Sequence, residues 1–210
     1  MKIFIALLIT LPPASLALAQ NALFPPTEGW YAGGGLIYSE AYTMIEWYEV
    51  DGGDPSVGFT VNGGYQFNDF LAIELGYINA GTQEYSTILF DLDSRVEADI
   101  SVQAIQSTAL LIWPLGSYFE LYVRAGGAYW KADSKQRWSF LDSSDSTNKN
   151  ISETDFAGVF GVGAGVTLNE NWHVRLEVQD IRLSSEIVPG EAGTDSSLES
   201  WAVQVQYRFR

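Results

Sequence analysis

Residues 201–209 alternate without interruption. Trp201, Val203, Val205, Tyr207 and Phe209 fall on one side, and Ala202, Gln204, Gln206 and Arg208 on the other. Residues 172–179 repeat the pattern, with Trp172, Val174, Leu176 and Val178 set against His173, Arg175, Glu177 and Gln179. A period of two sorts residues onto the two faces of a strand, whereas a helix of 3.6 residues per turn would mix them. The same reading along the chain gives eight segments, at 29–40, 56–67, 70–81, 97–113, 118–132, 154–168, 172–184 and 198–209. Helical bundles and α/β folds are excluded by this pattern alone.

The connections alternate in length. Asn68-Asp69, Pro114-Leu115-Gly116-Ser117 and Asn169-Glu170-Asn171 have tight-turn compositions. Between them lie long polar stretches, 41–55, 82–96, 133–153 and 185–197, and Asp142 to Asn150 reads as a flexible loop tip. Short turns at one end and long loops at the other, with strands of at least the ~9–11 residues a tilted strand needs to span a bilayer, indicate a transmembrane barrel. An even number of antiparallel strands can close into a ring, so that no backbone polar group is left open to lipid. Aromatic residues cluster at both strand ends: Trp30, Phe67, Phe70, Trp113, Phe119, Trp172 and Phe209 near the short turns, Tyr38, Tyr77, Tyr129 and Trp201 near the long loops. Two interfacial girdles explain this placement; the core of a soluble β-sandwich does not.

Composition narrows the function. The chain carries 11 Lys and Arg against 26 Asp and Glu, a formal charge of −15, so a nucleic-acid partner is excluded for want of a basic face. It has no Cys, which removes thiol catalysis and disulfide scaffolds. Residues 1–19 read as a secretory signal: Lys2, an apolar run from Ile3 to Leu11, the breaker Pro12-Pro13 and a small-x-small site at Ala17-Leu18-Ala19. The barrel domain is then 20–210.

Alternation also assigns an interior. Tyr31, Gly33, Gly35, Glu74, Gly76, Glu120, Tyr122, Arg124, Gly126, Gly161, Gly163, Gly165, His173, Arg175, Glu177 and Gln179 point inward, while Gln103 and Gln106 leave strand 4 ambiguous. Charges inside so narrow a barrel must pair, because an unpaired ion costs several kcal/mol. Glu74, Glu120 and Glu177 are expected to pair with Arg124 and Arg175, with the glycines of strands 1 and 6 making room for the arginines.

Several segments carry a family likeness: Gly29-Trp30-Tyr31-Ala32-Gly33; Asn62-Gly63-Gly64-Tyr65-Gln66-Phe67 followed by Ala72-Ile73-Glu74-Leu75-Gly76-Tyr77; Leu121 to Asp133; Val174 to Gln179; and Gln206-Tyr207-Arg208-Phe209. In this order they resemble the OmpA-like outer-membrane barrels. The resemblance implies an eight-stranded antiparallel up-and-down transmembrane barrel in the outer membrane of a Gram-negative bacterium. It would contact outer-membrane lipids and lipopolysaccharide and carry no cofactor; in a departure from the larger family members, no periplasmic peptidoglycan-binding domain is expected, since the sequence stops at Arg210. It implies that the closing aromatics, Tyr207 and Phe209, are read by the barrel-assembly machinery, although Phe209 is followed by Arg210. It also implies a gate-like ion pair at Glu74 and Arg175. The family's alternative gate partners are replaced by Leu110 and Gly165, which favours a plug over a conduction path.

Catalytic signals are weak. His173 is the sole histidine, and the serine that outer-membrane deacylases place two positions on is here Arg175. The carboxylates Glu40, Glu46, Glu49, Asp51 and Asp54, with Glu84, Asp91, Asp93 and Glu97, lack the spacing of a calcium loop and read as a solvated acidic surface. The expected function is non-enzymatic: envelope integrity and outward display of loops to an unidentified ligand. A narrow pore is the first alternative and a lipid-modifying enzyme the second.

Overall fold

A computed structural model describes residues 28–45, 48–49, 55–89, 94–140, 146–185 and 194–209. Eight long strands account for nearly all of them: β1 (Gly29–Ile45), β2 (Ser56–Asn68), β3 (Leu71–Leu89), β4 (Ser94–Leu115), β5 (Phe119–Phe140), β6 (Ser146–Thr167), β7 (Trp172–Ser185) and β8 (Thr194–Arg208). A two-residue strand, Tyr48–Glu49, turns back against Met44 and Ile45. Each long strand pairs antiparallel with the next. β8 pairs with β1 from Tyr31↔Arg208 to Thr43↔Ser196, so the sheet closes on itself. Phe209 N donates to Trp30 O at 2.8 Å and extends that seam by one bond. The 1–19 segment and Arg210 lie outside the described residues.

The tight turns are built by side chains the alternation pattern ignores. Asn68 Oδ1 accepts the N–H groups of Phe70 (2.8 Å) and Leu71 (2.9 Å), and Asn169 Oδ1 accepts those of Asn171 and Trp172, both at 3.0 Å. Both are Asx turns, with the carboxamide standing in for a backbone carbonyl. The third turn differs from its expected extent. Pro114 and Leu115 remain in β4, opposite Glu120 and Phe119, and the chain reverses at Gly116, whose φ of 77° is costly for any residue with a Cβ.

At the other end the strands run further than the composition indicates. Residues 82–89, 94–96, 133–140 and 146–153, read as loop, are strand. β2 and β3 part after Phe59↔Asn79, and β6 and β7 part after Gly158↔Arg182. Beyond those points β3, β4, β5 and β6 continue as a four-stranded extension of the barrel wall. A bulge between Asn79 and Thr82, with Gly81 at φ 81°, marks the departure on β3. These stretches have polar residues on both faces, so hydrophobic patterning cannot reveal them as strand.

The outer surface is apolar: Leu36, Val57, Leu75, Ile105, Leu176 and Val203 are all more than half exposed. Trp30, Phe67 and Trp172 ring the short-turn end and Tyr38, Tyr129 and Trp201 the other, all exposed. Edge-on pairs such as Trp30–Tyr65 and Trp172–Tyr207, both with centroids 5.1 Å apart, tie neighbouring strands together. Gln106 is buried inside and Gln103 lies on the outer face, where it accepts a hydrogen bond from Tyr77 Oη at 3.1 Å, which settles strand 4.

The interior is not uniformly wet. Its loop-side part is an apolar cluster of Ile37, Ile78, Val102, Trp130, Ile181, Leu198 and several alanines. None of these residues is in the inward set read from alternation, and they divide the barrel into two tiers.

Candidate functional site

The tier nearer the short turns is ionic. Glu74 on β3 sits at its centre, fully buried, with four donors on its two oxygens. Tyr31 Oη (2.8 Å) and Arg175 Nη1 (2.6 Å) donate to Oε1; Arg124 Nη2 and Asn62 Nδ2 donate to Oε2. Arg124 on β5 reaches the other way to Glu177 Oε1 at 2.6 Å and Gln179 Oε1 at 3.3 Å, and it also donates to Thr108 Oγ1 at 3.1 Å. Glu177 Oε2 accepts from Tyr122 Oη at 2.7 Å. Charge-assisted bonds of this kind are shorter and stronger than neutral ones.

Toward the short turns the network continues through Arg175. Its Nε donates to Glu120 Oε1 at 3.3 Å, and its guanidinium lies 4.8 Å from the ring centroid of Tyr122 and 5.5 Å from that of Tyr31. An arginine between two aromatic rings gains cation–π attraction and is held against lateral movement. His173 Nε2 lies 3.0 Å from Glu120 Oε1, its Nδ1 lies 3.1 Å from Thr167 Oγ1, and Arg208 Nη2 lies 3.6 Å from Glu120 Oε2. Three carboxylates (Glu74, Glu120, Glu177) thus face three guanidiniums (Arg124, Arg175, Arg208), and the cluster balances its charge with His173 neutral.

The structure therefore brings Glu74, Glu120, Arg124, Arg175 and Glu177 into one connected array. Sequence reasoning left Arg208 and Asn62 out of it. Arg208 stands on the polar side of the β8 alternation, which was the available signal; Asn62 lies among glycines on β2, where alternation is weak. Of the inward glycines on β1 and β6, only Gly161 makes room for an arginine as expected. A Cβ at Gly161 would crowd Arg124, one at Gly163 the ring of Tyr122, and one at Gly165 His173 and Glu120, whereas Gly33 on β1 accommodates Gln206 rather than an arginine. Leu110 packs among Tyr31, Ala72, Ile112 and Tyr122 and offers Glu74 no charge.

Between the tiers lies a cavity of about 10 Å³, lined by Ile37, Ile78 and Ala202 on one side and by Arg124, Glu177 and Gln204 among others on the other. That is about the room one water molecule needs. Among the described residues no cluster of three or more His, Asp or Glu could hold a metal ion. The acidic stretches around Glu46, Asp51, Asp54, Asp91 and Asp93 lie outside those residues.

A closed eight-stranded ring, apolar outside, with a buried Glu–Arg array inside, invites comparison with known barrels. The family model for the OmpA-like transmembrane domain matches residues 25–210. The chain belongs to this family. Outer membrane protein A of Klebsiella aerogenes is 30% identical over 210 residues, covering 97% of this chain and 55% of that protein. The Yersinia pseudotuberculosis protein of the same name is 30% identical over 204 residues, covering 96% and 54%. The chain thus spans about half the length of these curated relatives. Among solved structures, Neisserial surface protein A aligns over 86% of this chain and 97% of its own, with TM-score 0.56 and 13% identity. Ail, the attachment invasion locus protein of Yersinia pestis, aligns over 87% and 99%, with TM-score 0.51 and 15% identity. At such identities these two structures establish the fold. Family membership places this OmpA-like barrel in the bacterial outer membrane, its apolar face in contact with lipid.

Proposed function

We propose that this barrel is a sealed, non-enzymatic outer-membrane protein that supports envelope integrity and displays its strand extension and acidic loops outward. The observation that carries the reading is the double closure of the lumen. An ionic tier crosses the barrel with its carboxylates and guanidiniums paired, and beyond it the space is occupied by an apolar cluster bordered by buried Ser39, Gln83, Ser134 and Gln136. Water and ions entering from the loop side meet Trp130, Ile78 and Leu198 before they reach Arg124. In this role residues 1–19 direct export, and the exposed pair Tyr207 and Phe209, with centroids 5.3 Å apart on the outer face, is the feature the barrel-assembly machinery reads.

The partners on this reading are lipopolysaccharide around the wall and a ligand at the rim. Ail was solved with the heparin analogue sucrose octasulfate.

Refolded protein in planar bilayers is expected to produce no unitary current steps, while cells lacking the gene become more sensitive to detergents. Reproducible ohmic steps from pure folded protein would establish the narrow pore instead. Lipid A from cells with and without the gene is expected to give the same mass spectrum; a deleted or added acyl chain would establish the enzyme.

A further inference from the structure

Among the described residues the strand extension ends in an unpaired edge. β6 stays in register with β5 out to Ser139↔Ser146, but its pairing with β7 stops at Gly158↔Arg182. Among the described residues nothing bonds to the β7 side of β6 from 146 to 154. The opposite edge of the extension is different. There Gln83 Nε2 reaches Ser39 O at 3.4 Å and Ser39 Oγ reaches Ala80 O at 2.7 Å, so β3 is tied back to β1. An unpaired strand edge is a template for another strand.

The direction of its backbone groups follows from the turns. Thr167 N donates to Tyr118 O on the β5 side, and Leu168 N donates to Trp172 O on the β7 side. Even-numbered residues of β6 therefore direct N–H and C=O toward the open edge. Phe156 N, the first of these past the last β7 pair, is met by Asp155 Oδ1 at 2.7 Å, which ends the open stretch on the barrel side. Asn148, Asn150, Ser152 and Thr154 remain.

This stretch, Thr147-Asn148-Lys149-Asn150-Ile151-Ser152-Glu153-Thr154, is complementary to itself when reversed about Ile151. An antiparallel partner of the same sequence would exchange backbone bonds between Asn150 and Ser152 and between Asn148 and Thr154. Lys149 would then stand opposite Glu153, twice, and Ile151 opposite its own copy. Those pairs are the non-hydrogen-bonded ones, where Cα atoms approach to about 4.5 Å and side chains meet most closely. Lys on an edge strand ordinarily deters such pairing. Here it finds an opposite charge only in the antiparallel register. Parallel pairing in register sets Lys149 against Lys149 and Glu153 against Glu153.

Membrane geometry selects the arrangement. Two copies in one membrane both run β6 from the outer side inward and cannot pair it antiparallel. Two copies in apposed membranes can. We infer that the open β6 edge around Ile151 binds a second copy of this chain in an apposed outer membrane, by antiparallel strand addition with reciprocal Lys149–Glu153 pairs. The inference rests on the display reading above only in requiring that the extension faces outward.

The test uses two dye-labelled populations of proteoliposomes carrying the full refolded chain, with heat-modifiable migration confirming the fold of each variant. Wild-type vesicles are expected to form two-colour clusters. Lys149→Glu alone and Glu153→Lys alone are each expected to reduce clustering several-fold, because each sets like charges opposite. Mixing Lys149→Glu vesicles with Glu153→Lys vesicles is expected to restore it, since both cross-pairs are again complementary. Absence of wild-type clustering, single variants that cluster normally, or a mixture that stays dispersed would each overturn the inference. None of these results bears on conductance or detergent sensitivity, so the display and integrity reading stands or falls separately.

Discussion

The two tiers of the lumen fill the same cylinder by opposite means. In the ionic tier, Glu74, Arg124, Arg175, Glu120 and Glu177 hold one another through a few short bonds, and each group has a partner it cannot lose without leaving a buried charge. In the apolar tier, Ile37, Ile78, Trp130, Ile181 and Leu198 hold one another by shape, and a lost methyl group is a lost contact and nothing more. The first kind of filling is all-or-none and the second is graded. On the sealed reading proposed above, the ions fix the register and the hydrocarbons exclude water from the space beyond them.

The largest effect is expected at the ionic centre. Glu74→Leu leaves Arg124 with Glu177 alone and Arg175 with Glu120 alone, two guanidiniums sharing an uncompensated positive charge in the lumen. Breaking a buried pair in this way costs about 3–5 kcal/mol. The measurement is the urea midpoint of the fully folded, heat-modifiable form in detergent micelles. An unchanged midpoint would mean that water reaches the network freely and that the ionic tier is not a seal.

Next comes Leu198→Ala in the apolar tier. Leu198 is fully buried, and its truncation should cost about 2–4 kcal/mol, scaling with the cavity left behind. The same assay checks it. A cost near zero would show that this tier is loosely packed and that the contrast between the tiers is illusory.

Much of this contrast was written in the sequence, though not evenly. The ring itself follows from strict alternation, as in Trp201 to Phe209. The ionic members are legible because a charge on the face away from lipid has few places to go, and Arg175 and Glu177 alternate with Val174, Leu176 and Val178. The apolar tier is obscured because its members sit beside equally apolar outer neighbours. In Leu36-Ile37-Tyr38, with only Ile37 inside, and in Tyr77-Ile78, the face is carried by register and not by polarity. The strand extension is obscured for the converse reason. Apart from Ile151, residues 146–155 are polar on both faces, and a slip of one residue there moves only that one hydrophobic group. Turns were legible by composition, but the position of Gly116, rather than Pro114, as the reversal point depends on a φ that composition does not specify.

The smallest effect sharpens the boundary between the tiers. Tyr122→Phe removes one hydroxyl, the donor 2.7 Å from Glu177 Oε2, while Arg124 continues to hold Oε1 of the same carboxylate. Loss of a hydrogen bond to a charged group costs about 1.5–3 kcal/mol, and the low end is expected here because the ring still packs in place and the nearby cavity of about 10 Å³ has room for one water to reach the carboxylate. Combining Tyr122→Phe with Leu198→Ala separates two pictures of the lumen. If the tiers are independent fillings, the two costs add to within about 0.5 kcal/mol, as for sites with no shared partner. If loosening the apolar tier lets solvent down onto Glu177, the lost hydroxyl is replaced by water and the double variant is more stable than the sum. A coupling above about 1 kcal/mol in that direction would make the apolar tier the lid that keeps the ionic tier dry, rather than a second and separate plug.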